Sequence, residues 1–168
     1  NNIGSVVAFT GVSPLRIGNN QQTNHGNRGA FNGIIDEVRI WNRSLSATEI
    51  QEKSFIQLNP NNESGLVGYW QFNKNEGNIA KDLSGNGNDG SVDGATPTTD
   101  RFGNTNAALS FDGLNDDFTV PSTESLQLTN SVTLAAWVQV STTSADQSII
   151  HKGDGSIAQL DLTKNLLT

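Results

Sequence analysis

Apolar and polar residues alternate in short runs, cut roughly every 8 to 12 residues by clusters of Gly, Asn, Ser and Pro. That spacing is expected of an all-β sandwich or barrel rather than of a helical protein. The runs predict strands over 5–10, 15–18, 31–41, 66–73, 107–111, 118–121, 132–140, 148–152 and 157–162. The strongest alternation sets Val132, Leu134, Ala136, Val138 and Val140 on one face, with Thr133, Ala135, Trp137 and Gln139 on the other. Such a strand is buried on one face and partly covered on the other. One helix is expected. Ser46-Ala47-Thr48-Glu49 has capping-box spacing, with Leu45 and Ile50 placed to staple its start, and the pattern fades by Phe55. The reading is an antiparallel β-sandwich with one short helix near 46–54, and the polar stretch 58–65, with Pro60 and Gly65, reads as a linker.

Composition narrows this picture. With 34% hydrophobic and 16% charged residues, the 168-residue chain suits one ordinary domain and not a solvated disordered tail. Lys+Arg number 10 against 17 Asp+Glu, a formal charge of -7 with no basic cluster, so nucleic acid is not expected as a partner. No apolar run reaches the roughly 18 residues of a membrane helix, so membrane insertion is not expected. The absence of Cys removes disulfides, thiol nucleophiles and thiolate metal sites. The chain opens Asn1-Asn2-Ile3 and holds no Met, as expected of a processed product or a stretch of a longer polypeptide.

Candidate chemistry is mostly acidic. Asp82-x-Ser84-x-Asn86-Gly87 has the oxygen spacing of a calcium loop, with Asn88 next in the alternation and Asp93 at the twelfth position, but without the flanking helices of an EF-hand. The same residues also suit a Gly/Asn turn whose side chains cap its own backbone. Asp36 shares a predicted strand face with Ile34, Val38 and Ile40. A buried, unpaired carboxylate costs several kcal/mol, so a cation, an arginine or backbone donors are expected beside it, and a calcium ion shared with the Asp82 loop would serve. Asp112, Asn115, Asp116 and Asp117 read as a solvated hairpin, and His25 and His151 as surface-loop residues. No G-x-S-x-G elbow and no E-x-D-x-E strand is present, and Glu37 next to Asp36 should point to the opposite face, so no enzyme is expected. Lys152-Gly153-Asp154 fits an adhesion tripeptide or a hairpin turn, and Trp41, Tyr69, Trp70 and Trp137 are candidate sugar platforms or core aromatics.

Several long motifs carry a resemblance. Phe31-Asn32-Gly33-Ile34-Ile35-Asp36-Glu37-Val38-Arg39-Ile40-Trp41, with the helix after it, resembles the closing segment of LamG-like, concanavalin A-like jelly-roll domains. Leu66-Val67-Gly68-Tyr69-Trp70, Asp82-Leu83-Ser84-Gly85-Asn86-Gly87-Asn88, Ala108-Leu109-Ser110-Phe111-Asp112-Gly113 and Val132-Thr133-Leu134-Ala135-Ala136-Trp137 resemble the opening of such a domain. The order departs from the family: the closing segment, 1–57, precedes the opening segment, 66–168, and the family's middle is missing. The chain is therefore expected to be either one permuted sandwich or two half-domains completed by neighbouring chain. The resemblance implies a jelly roll with calcium held by Asp82, Ser84, Asn86, Asn88 and Asp36. It also implies a non-catalytic, extracellular or cell-surface, bacterial module of a large repeat-bearing adhesion or filament-forming protein. Its partners would be further copies or neighbouring repeats, with polysaccharide as an additional partner. The alternative it implies is a carbohydrate-binding module of a secreted polysaccharide-degrading enzyme.

Overall fold

The computed structural model describes residues 12–20, 29–73, 77–141 and 147–153. The strands expected over 5–10 and 157–162, and His25, lie outside the described residues.

Among the described residues, ten strands and one α-helix follow in the order β1 (Leu15–Ile17), β2 (Asn32–Trp41), α1 (Ala47–Ser54), β3 (Leu66–Trp70), β4 (Ile79–Ala80), β5 (Gly90–Asp93), β6 (Thr96–Thr98), β7 (Ala108–Asp112), β8 (Asp117–Val120), β9 (Thr133–Val140) and β10 (Ile150–Lys152). All named pairings are antiparallel. One sheet runs β10-β1-β8-β5-β4. The other is organised by β2, which carries β9 along one edge, while β7 pairs with its first half and β3 with its second half on the other. Side chains from both sheets meet in one core. Ile17, Phe118, Val120 and Ile150 come from the first sheet, and Ile35, Val38, Ile40, Trp70, Leu109 and Phe111 from the second. Edge-to-face contacts of Trp70 and Phe72 with Phe118, at 5.7 and 5.3 Å between ring centroids, lock the layers together. Both sheets mix strands from before and after 58–65.

That stretch is pinned rather than loose. Leu58 is buried with Trp41, Leu66 and Tyr69, Pro60–Asn62 form a 3₁₀ turn capped by Asn59, and Glu63 meets Lys53 at 2.7 Å. Gly33 shows why a strand rich in Ile and Val carries a glycine: a Cβ there would sit 2.0 Å from the Gln139 carbonyl oxygen, and its φ is +150.

The alternation read for β2 fails at one point. Ile35 and Asp36 face Val138 and Trp137, but Arg39 faces Ala135, so Glu37 and Val38 together lie opposite a single residue of β9. This is a β-bulge, with Glu37 in the left-handed region at φ 53. Ile35, Val38 and Ile40 turn into the core, whereas Asp36 and Glu37 both turn to the outer face. The expectations that Asp36 joins Val38 and Ile40, and that Glu37 opposes it, are thereby corrected. Three expected surface features are also internal. His151 and Lys152 are buried in β10, where Lys152 donates to the Ser13 carbonyl at 2.7 Å. Lys152 is thus no exposed adhesion residue, and burial lowers the pKa of its ammonium. Asp116 and Asp117 are buried too: Asp116 accepts from the Asp112 amide, and Asp117 pairs with Arg16 at 2.6 Å.

Candidate functional site

The outer face of the β3-β2-β9 region is where chemistry collects. The bulge delivers Glu37 and Arg39 to it, and helix α1 covers part of it. Ser46 and Glu49 form the expected capping box, reinforced by an Arg43–Glu49 ion pair at 2.6 Å. The Arg43 guanidinium draws the Glu49 pKa down to about 2. None of the helix residues is buried, so the helix is held by its ends. Carbonyls left unpaired at its C-terminal end take donors from the sheet: Arg39 Nη1 reaches Lys53 O at 2.7 Å, Arg39 Nη2 reaches Ile56 O at 2.8 Å, and Trp137 Nε1 reaches Ser54 O at 2.9 Å. Arg39 also donates to Glu37, which accepts from the Tyr69 hydroxyl at 2.8 Å. Burial pushes the Tyr69 hydroxyl up to about 12, so it stays a donor. Every one of these donors to Glu37 uses Oε2, which makes this carboxylate a structural hub.

Trp137 stands at the centre of the face, between two concavities. A groove of about 360 Å³ runs between α1 and β9, lined by Arg39, Leu45, Phe55, Leu134 and Ala136 among others. A smaller pocket of about 100 Å³ lies on its other side, lined by Asp36, Asp100, Arg101 and Gln139. Phe55, 70% exposed, tilts against the indole at 5.9 Å. Asp36 is only 6% exposed, and its nearest cation is Arg101 at 3.9 Å. Burial, with the neighbouring Glu37 charge, raises its pKa from 3.8 to about 7. Of the four aromatic candidates, Trp41, Tyr69 and Trp70 are core residues, and Trp137 is partly exposed.

The residues expected to hold calcium do not come together. Asp36 faces Arg101 and Trp137, whereas Asp82, Ser84, Asn86 and Asn88 build a turn against the start of β3. Asp82 Oδ1 accepts from the Tyr69 and Ser84 amides, and Oδ2 from the Ser84 hydroxyl and the Asn88 amide, all between 2.8 and 3.0 Å. Asn88 is buried, donating to Val67 O and accepting from Thr123 and Ser125, and Asn86 donates to Leu66 O. A hard cation needs several free oxygens converging at about 2.3–2.6 Å. Here the side-chain oxygens of Asp82, Ser84 and Asn88 already serve amides and hydroxyls, so the turn as folded does not fit the ion. Among the described residues no group of three or more His, Asp or Glu is arranged for a metal.

A family model described as the concanavalin A-like lectin/glucanases superfamily matches residues 2–51. Over these residues the chain is similar to LamG-like domains of that superfamily. The match takes in β1, β2, the bulge and the start of α1, and the antiparallel sandwich around them is consistent with its jelly roll. No curated protein and no solved structure matches the chain. Outside the LamG-like match, Arg101 was missed by sequence reading, since a lone arginine in a polar loop carries no periodic signal. Glu37 and Arg39, two apart on a strand, did carry one.

Proposed function

We propose that the chain is a non-catalytic, extracellular binding module of adhesion type that engages carbohydrate on its outer face at Trp137. Laminin G-like domains are commonly extracellular, and the superfamily supports a carbohydrate-binding or adhesion-type role in general. No helix among the described residues is long and apolar enough to cross a membrane. The observation that carries the reading is the position of Trp137. It is the partly exposed tryptophan, with an apolar groove on one side and a buried carboxylate on the other, the mixture that a pyranose with its apolar ring face and hydroxyl rim requires. Glu37 is committed to Arg39 and Tyr69, so it is unavailable as partner to Asp36 in acid–base chemistry. A second reading, packing against further copies in a repeat-bearing surface or filament protein, is favoured by the exposure of Phe55 and Phe102.

One comparison separates the two. Calorimetric titration with a panel of oligosaccharides and polysaccharides is expected to give a ligand whose affinity falls about tenfold or more in W137A, the scale of a central aromatic anchor. An absence of heat with every glycan, alongside concentration-dependent association abolished by Phe55→Ser, would replace carbohydrate binding with self-packing.

A further inference from the structure

Between β6 and β7 the chain makes a tight turn at 100–104. Asp100 accepts from the Phe102 and Asn104 amides at 2.8 Å each, and its own amide donates to the Asn104 carbonyl at 3.0 Å. Side-chain and backbone bonds thus make the turn one compact unit, and its tip presents Arg101 and Phe102. The surrounding loop is exposed, yet the Arg101 side chain is only 20% exposed, because it folds back onto the face described above. Its guanidinium carbon lies 4.2 Å from the Trp137 ring centroid and 4.3 Å from that of Phe102, with Asp36 at 3.9 Å. The tip therefore occupies the position against the indole that a stacking ligand needs.

We propose that Arg101 is a self-inhibitory latch on the Trp137 face, closed by cation–π contact and held by the charge of Asp36. The proposal rests on the reading that Trp137 is the ligand-facing aromatic. A guanidinium over an indole is a weak attachment that a ligand or a change of local charge can displace. Asp36 is placed to make that change. Its charged surroundings are Glu37 on its own strand and Asp100 and Arg101 on the turn, while β9 faces it with the uncharged Trp137 and Gln139. Glu37 is tied to Arg39, and Asp100 to its own turn, so Arg101 is the cation that answers to Asp36. With Asp36 ionised the latch is held, and when the carboxyl takes up its proton near pH 7 the hold is lost. The face opens on the acid side.

The test needs no ligand. Of the three tryptophans, Trp41 and Trp70 are at most 1% exposed, so acrylamide quenching of fluorescence reads Trp137, with W137F as the control. In the wild type the quenching constant is expected to rise as pH falls from 9 to 5, with a midpoint near 7. R101A should be raised about two- to fivefold over the wild type at pH 9, the loss of one exposed cation–π contact, and the wild type should approach it at pH 5. D36N should be raised and flat. A pH-independent wild-type profile that coincides with D36N would overturn Asp36 as the holder, and unchanged quenching in R101A would overturn the latch itself. Glycan titration of R101A keeps the two readings apart. Opened quenching without any glycan binding would sink the carbohydrate reading and leave the latch standing.

Discussion

At the residue scale, Asp36 and Glu37 show how one extra residue redirects chemistry. A strict period of two would have put Asp36 among the core side chains and Glu37 across the sheet from it. The bulge turns both outward, at a cost of about 1 kcal/mol or more for a non-glycine residue in the left-handed region. Glu37 holds that conformation because Arg39 and Tyr69 capture its carboxylate. Asp36 gains less: Arg101 is 3.9 Å away, and burial outweighs it. Unfolded, this carboxyl releases its proton near its ordinary 3.8, but folded it keeps the proton to about 7. Between those values the native state holds the extra proton. Stability contributed by the neutral form is therefore present at low pH, declines as pH rises through the window, and is fully lost above 7. Asp36→Asn should leave stability unchanged near pH 4 and raise it at pH 8 by roughly 2–4 kcal/mol, measured by urea unfolding at both values. Equal stability of variant and wild type at pH 8 would show that the carboxylate carries no burial cost. Sequence reading found Asp36 as an oddity but could not see the bulge, because nothing in Ile35-Asp36-Glu37-Val38 marks where pairing slips.

At the scale of elements, the chain was legible where a local rule acts alone. The capping box of α1, its end at Phe55, and the long strands β2 and β9 all follow from spacing within a few residues. The strands β4, β5 and β6 were not legible. They are two to four residues long, β5 and β6 are rich in Gly, Ser, Thr and Pro, and all three are strands only because neighbours pair with them. The turn at 82–88 was legible as a loop of oxygens, but the sequence left open whether those oxygens face an ion or their own backbone. In the fold they face the backbone. Asp82 joins four donors across the turn and β3, so Asp82→Ala should cost about 2–4 kcal/mol through donors left unpaired. The melting temperature of the wild type should be the same in calcium and in chelator. A calcium-dependent rise would mean that the ion displaces those amides, since a ligand that binds only the native state must raise stability.

At the scale of the molecule, the strands before and after 58–65 are interlocked. β2, from the first half, is hydrogen-bonded to β3, β7 and β9 of the second, and β1 sits between β8 and β10. The core is built from both halves, so neither buries its apolar face without the other. Covalent continuity through 58–65 then contributes mainly effective concentration, while the specificity of association resides in the sheets. This makes the connection dispensable once the sandwich has formed. A protease recognition sequence inserted between the exposed Asn61 and Asn62 should allow cleavage of the folded protein. The two fragments are then expected to elute together in native gel filtration at the position of the uncut chain, and to part only in denaturant. Two half-domains that await neighbouring chain would behave differently: each fragment would leave the other on cleavage, and each would expose sheet edges that drive aggregation. Co-elution combined with retained near-ultraviolet circular dichroism would establish a single sandwich assembled tail before head, in which the pairing of β2 with β3, β7 and β9 outweighs the order in which the chain supplies its parts.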